Sequence, residues 1–171
     1  MPLKLCTIGF AGKTAEQFFR LIESAGVRTV IDIRENRIGQ LSGYAKFPDI
    51  AFFLERVAGI AYRYEPLLAP TPEIRKRFRE TKDWEDYEKS FLDLMRERGF
   101  PANYALNGED NVAFLCSEPG AQCCHRRLVA ELLAARWREQ GVAAEIVHLA
   151  VAKTRARRKK KRQADGGADP K

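Results

Sequence analysis

The sequence predicts an α/β fold: a single three-layer domain on a mostly parallel sheet of about five strands, followed by a disordered basic C-terminal tail. Three observations predict it. Short apolar or β-branched runs alternate with stretches of helical periodicity through most of the chain, the pattern of strands joined by crossover helices. A length of 171 residues, 45% hydrophobic and 31% charged, suits one domain with a sizeable core. The last stretch abandons apolar periodicity for charge and glycine, which leaves nothing to bury. The domain is therefore placed at residues 1–150 and the tail at 151–171.

The elements follow in order. Residues 4–9 form a mostly apolar run closed by Gly9, a first strand. Thr14 with Gln17 three residues on is a capping-box pattern, and Phe18, Phe19, Leu21, Ile22 and Ala25 repeat at helical spacing up to Gly26. Residues 28–33 (RTVIDI) are β-branched and read as a strand. After a polar loop, Asp49 is placed to cap a helix carrying Phe52, Phe53, Leu54 and Val57. Residues 60–64 are a short strand candidate, and Pro66, Pro70 and Pro72 mark irregular chain. Residues 73–79 and 84–98 read as helices, the second with Tyr87, Phe91, Leu94 and Met95 on one face. Residues 111–116 are the most apolar strand candidate, 126–137 a helix, and 144–149 (AEIVHL) the last strand.

Charge separates domain from tail. The chain has 30 basic and 23 acidic residues, a formal charge of +7. From Val151 onward there are nine basic and two acidic residues, so the tail carries the whole excess and residues 1–150 are neutral. The basic cluster Arg155, Arg157, Arg158, Lys159, Lys160, Lys161 and Arg162 suits nucleic acid or another polyanion, bound without sequence preference. A solubilising appendage without a partner explains it as well. It holds no aromatic and no apolar helical face, and no apolar run approaches the roughly 20 residues of a membrane span, so no membrane contact is expected. The N-terminus reads as a strand rather than a signal peptide. Four cysteines without a secretory leader argue for reduced thiols in the cytoplasm.

The most informative stretch is VAFLCSEPGAQCCHRR, residues 112–127. A strand ends in Cys116, Glu118 and a Pro-Gly turn follow, and a helix opens on Cys124-His125-Arg126. In a parallel sheet all strands end on one side, where α/β folds place ligand chemistry. That topology brings Phe10, Asp32, Arg34, Cys116, Glu118, Cys124, His125 and Arg126 towards one another. Arg34 and Arg126 beside a helix N-terminus suit a phosphate; salt bridges to Asp32 or Glu118 are the plain alternative. Asp32 and Glu118 suit acid/base work, although Asp32 with Arg34 also reads as a self-contained ion pair. His125 suits a ligand contact or proton shuttle, and His148, inside a strand, a structural role. Cys124 is the better candidate thiolate, at a helix N-terminus beside an imidazole and a guanidinium. Cys116 suits either ligand contact or plain packing. In the loop after the second strand, Tyr44 and Lys46 are candidates for stacking on and charging against a ligand, or for ordinary loop packing.

Spacing removes one option and weakens another. A cysteine phosphatase needs Cys, five residues and Arg; the sixth residue after Cys116 is Gln122 and after Cys124 is Ala130. A zinc site has the ligand types in Cys116, Cys123, Cys124 and His125. Three of the four are consecutive, however, and helical residues diverge by about 100° each. No metal and no other cofactor is expected.

The chain resembles the bacterial family of domain of unknown function 488. The resemblance rests on CTIGF at residues 6–10, VIDIR at 30–34, the Gly-Tyr-Lys loop at 43–46, FLCSE at 114–118, CHRRLVAE at 124–131 and the closing EIVHL. It covers roughly residues 5–149, and the C-x-E…C-H-R combination is its most specific part. In that family the first strand usually ends Thr-Ile-Gly-His-Ser; Phe10 and Ala11 stand here in place of His and Ser. The resemblance implies a compact α/β domain with a shared polar site and no particular reaction.

Three functional expectations follow. The first is an enzyme of hydrolase or transferase type acting on a phosphorylated ligand, a nucleotide or nucleic acid, with Arg34 and Arg126 on the anion, Asp32 and Glu118 as acid and base, and His125 and Cys124 assisting. The second is a non-catalytic nucleic-acid-binding module that uses the tail. The third is cysteine-based sulfur-transfer or redox chemistry with Cys124 as nucleophile.

Overall fold

A computed structural model describes residues 3–39, 42–104 and 111–152. The basic tail residues Arg155 to Arg162 lie outside the described residues. Five strands, β1 (Leu3–Gly9), β2 (Thr29–Asp32), β3 (Ala61–Tyr64), β4 (Val112–Cys116) and β5 (Ala144–Leu149), form one sheet in the order β3-β2-β4-β1-β5. Every pairing is parallel, so the expected α/β architecture is found and all five C-terminal ends lie along one edge. The helices are α1 (Ala15–Ser24), α2 (Asp49–Phe52, prolonged by a π turn over Phe53–Val57), α3 (Pro72–Thr81), α4 (Trp84–Glu97) and α5 (His125–Glu139).

Strand alternation splits the core into two layers. Leu5, Ile31, Ile33, Val112 and Phe114 pack with Tyr87, Phe91 and Met95 of α4 and Leu128, Val129 and Leu133 of α5. Cys6, Ile8, Val30, Ala113 and Leu115 pack on the opposite face with Phe18 and Ile22 of α1 and Ile50 and Leu54 of α2 and its π turn. A sheet covered on both faces needs near-continuous apolar strands, and β4 is buried at all five positions.

Helix starts follow local chemistry. Thr14 accepts from the Gln17 amide while the Gln17 side chain accepts from the Thr14 amide, so the expected capping box is present. Thr71 and Asp83 cap α3 and α4 by accepting from the Ile74 and Asp86 amides, without the reciprocal bond. Asp49 differs from expectation: Pro48 is the cap, and Asp49 lies in the first turn, where a carboxylate favours the helix dipole. None of the described helices is long and apolar enough to cross a membrane.

Candidate functional site

At the strand ends, two clusters form where one was expected. Asp32 pairs in register with Leu115, so its side chain lies on the α1/α2 face of the sheet; Cys116, one residue further, lies on the α4/α5 face. Asp32 is fully buried and closes on Arg34, with Arg34 Nε at 2.8 Å from Oδ1 and Nη2 at 2.7 Å from Oδ2. The Arg34 amide and the Tyr62 hydroxyl complete the carboxylate's bonds at 3.1 and 2.7 Å. Arg34 also donates to the Ala45 carbonyl, and its guanidinium lies 5.2 Å from the Phe10 ring. Position 10, where the resembled family usually has His, therefore abuts this ion pair. The self-contained pairing is the arrangement present.

The second cluster joins the end of β4 to the start of α5. Cys124 Sγ is 3.2 Å from Cys116 Sγ, and His125 Nδ1 faces both sulfurs at 3.7 Å from Cys116 and 4.0 Å from Cys124. His125 Nε2 donates to the Ile33 carbonyl at 3.1 Å. The Phe91 ring packs against the imidazole, with ring centroids 5.7 Å apart. All three residues are buried. The convergence of the consecutive Cys124 and His125 runs against the spacing argument for a physical reason. Cys124 is the N-cap, with an extended backbone at φ −145° and ψ 136°, so the 100° helical divergence does not separate it from His125. Cys123 is exposed and stands outside the trio.

The protons sort within this trio. Cys116 sits well below the usual thiol range because the Cys124 thiol donates to it, and the nearby His125 charge helps outweigh burial. Cys124 is pushed well above that range by giving its hydrogen bond to Cys116 and by burial. Burial alone would lower His125, but the Cys116 charge and hydrogen bond outweigh it and leave the imidazole raised. The hydrogen bond between the two thiols therefore favours the thiolate on Cys116. Cys6 gives the contrast of a core thiol, which burial pushes up to about 11.

Arg126 does not face this pocket. It is 2% exposed and donates to the Glu118 carbonyl at 2.6 Å, the Pro119 carbonyl at 3.4 Å and Cys124 Sγ at 3.5 Å, stapling the 117–124 loop to α5. Gly9 makes room for that staple: a Cβ on it would sit 1.7 Å from the Glu118 carbonyl oxygen and 2.7 Å from Arg126 Nη1. Tyr44 likewise holds loops together, donating to the carbonyls of Phe10 and Lys13, and its ring packs on Phe18. Lys46 lies in the same loop, and neither residue lines the pocket described next.

A cavity of about 450 Å³ opens over the sulfur–imidazole trio. Of the expected site residues, Arg34, Cys116, Glu118, Cys124 and His125 line it. Phe78, Tyr87 and Pro70 give it an apolar wall, and Arg75, Arg79 and Lys82 a cationic rim. Arg75 is ion-paired with Glu35. That these cations line a cavity was not legible, because α3 reads from sequence as an ordinary helix; its Arg-Lys-Arg-x-Arg run from Arg75 to Arg79 was the available signal.

No curated protein and no solved structure matches the chain. The model of one family, the domain of unknown function DUF488, matches residues 14–133, a span that contains the ion pair, the rim and the sulfur–imidazole trio, and the chain belongs to that family.

Proposed function

We propose that the protein is an enzyme acting on a phosphorylated ligand, a nucleotide or a nucleic-acid end, bound in the cavity over Cys116, Cys124 and His125. One observation carries this reading: a single cavity joins a cationic rim to a buried, polarised sulfur–imidazole floor. Its volume of about 450 Å³ falls within the common range for small-ligand sites. The rim of Arg79 and Lys82, with Arg75 behind, suits a phosphate. The Phe78 and Tyr87 side supplies an apolar surface for a base or sugar. Glu118, exposed at the mouth two residues beyond Cys116, is the group best placed to take or give a proton during reaction. The anion is thereby assigned to α3 rather than to Arg34 and Arg126, whose guanidiniums serve Asp32 and the 117–124 loop. The four free cysteines fit a reducing cytoplasm.

The test is a binding panel of inorganic phosphate and mononucleotides on the full chain, read by calorimetry. At least one phosphorylated ligand is expected to bind. The double variant R79A/K82A is expected to weaken it by about tenfold per cation removed, while E118Q lowers turnover with little change in affinity. A panel with no binder, or a double variant that binds as the parent does, would sink the assignment.

A further inference from the structure

We propose that Cys116, Cys124 and His125 form a binding site for one zinc-class divalent metal ion, with a fourth coordination position open to the cavity. This goes beyond the phosphorylated-ligand reading and stands without it. The three donor atoms all lie within 4.8 Å of one another. A tetrahedral centre with metal–sulfur bonds of about 2.3 Å and metal–nitrogen bonds of about 2.0–2.1 Å sets sulfur–sulfur separations near ~3.8 Å and sulfur–nitrogen separations near ~3.6 Å. The observed sulfur–sulfur separation of 3.2 Å is shorter than its ideal, and the sulfur–nitrogen separations of 3.7 and 4.0 Å are slightly longer than theirs. Shifts of about half an ångström at the sulfurs reach the ideal geometry.

The orientation of His125 is the second, independent observation. A carbonyl only accepts, so the bond to Ile33 fixes a proton on Nε2 and, in the neutral ring, leaves the lone pair on Nδ1, the atom aimed at both sulfurs. Metal-binding histidines are held in this way, with the other ring nitrogen donating to a carbonyl or carboxylate. Arg126 adds an N–H donor to Cys124 Sγ, a typical support for a ligating thiolate. Two thiolates neutralise a divalent ion, which allows the centre to sit buried. A donor set of two sulfurs and one imidazole selects zinc-like ions over calcium or magnesium, which take oxygen. Three protein ligands around an open face is the pattern of catalytic rather than structural zinc. The same three residues line the cavity, so the open face is where a substrate or water would reach the ion.

The experiment titrates the reduced full-length protein with Co²⁺ as a spectroscopic probe and then displaces it with Zn²⁺. The expected result is one Co²⁺ per chain, an intense tetrahedral visible spectrum and a thiolate-to-cobalt band in the near ultraviolet. C116S and C124S each diminish that band, and the double variant abolishes it. C123S leaves it intact, because Cys123 is outside the trio. Should a variant fail to fold, X-ray absorption on the wild-type zinc complex decides: two sulfurs and one imidazole in the first shell are expected, and a shell of oxygen and nitrogen alone overturns the proposal. No band at one equivalent, a band that survives in the double variant, or isolation of the pair as a Cys116–Cys124 disulfide that excludes the metal overturns it as well. The readout uses no phosphorylated ligand, so its failure and that of the rim assignment are told apart.

Discussion

Asp32 and Cys116 end neighbouring strands and point to opposite faces of the sheet. This one-residue offset assigns Asp32 to the framework and Cys116 to the cavity. The carboxylate is fully buried, and its partners Arg34 and Tyr62 saturate it. Asp32→Ala would leave the Arg34 guanidinium buried and uncompensated, which costs about 3–5 kcal/mol. Urea unfolding should show that loss. Replacing both partners together, as in D32A/R34M, should cost less than D32A alone. A double variant as unstable as the sum of the singles would show that the pair is not coupled.

Gly9 is the second framework residue with leverage on the site. Its backbone is that of an ordinary strand, so what it supplies is space: the Glu118 carbonyl and Arg126 Nη1 occupy the volume of a side chain. In Gly9→Ala the 117–124 loop has to lift off β1. Overpacking of this kind costs about 1–3 kcal/mol. Hydrogen exchange should locate the added opening in that loop rather than across the sheet. Unchanged stability with unchanged loop protection would mean that the staple is not tight.

Much of this was legible in the sequence because the elements are locally consistent. The Thr14–Gln17 box, the β-branched run at residues 28–33 and the apolar β4 each announce themselves, and parallel order follows from their alternation with helices. The site was legible in outline, since strand-end residues of β4 and the start of α5 do meet. Its partition was not read, although strand period contains it: Asp32 and Arg34 share parity, and Ile33 lies opposite Cys116 by extension of the β2–β4 register. The Cys124–His125 convergence was hidden for another reason. It depends on the cap residue leaving helical geometry, and Cys is not a residue whose side chain signals an N-cap. That α3 cations line the cavity was hidden because solvated and cavity-facing cations look the same in one sequence.

Tyr62 gives a pH-dependent check of the framework. Burial and the Asp32 charge push its phenol from 10.0 up to about 12. The neutral phenol, which donates to Asp32, is therefore favoured by folding. A group raised in the folded state lends stability that is complete below its unfolded value and lost as pH rises through the folded one. The window is thus pH 10 to 12. Thermal unfolding should show a loss of stability across that window which is smaller in Tyr62→Phe, and tyrosinate absorbance of the variant should lack the component titrating near 12. An identical alkaline profile in the two proteins would remove Asp32 from the neighbourhood of the phenol.

The tail and the cavity separate by salt. Nine basic residues beyond Val151 against two acidic ones make a polycation appended to a neutral domain. If the ligand is a nucleic-acid end, the tail adds contacts along the phosphate backbone while the cavity holds the terminal group. Each phosphate neutralised on a single strand contributes a slope of roughly −0.7 in log K against log salt. Deleting residues 153–171 should flatten that slope for an oligonucleotide and lower its affinity, and leave a mononucleotide binding as before. Loss of mononucleotide affinity on truncation would place part of the anion site in the tail. An oligonucleotide slope unchanged by truncation would return the tail to a solubilising role and leave the α3 rim as the whole of the anion site.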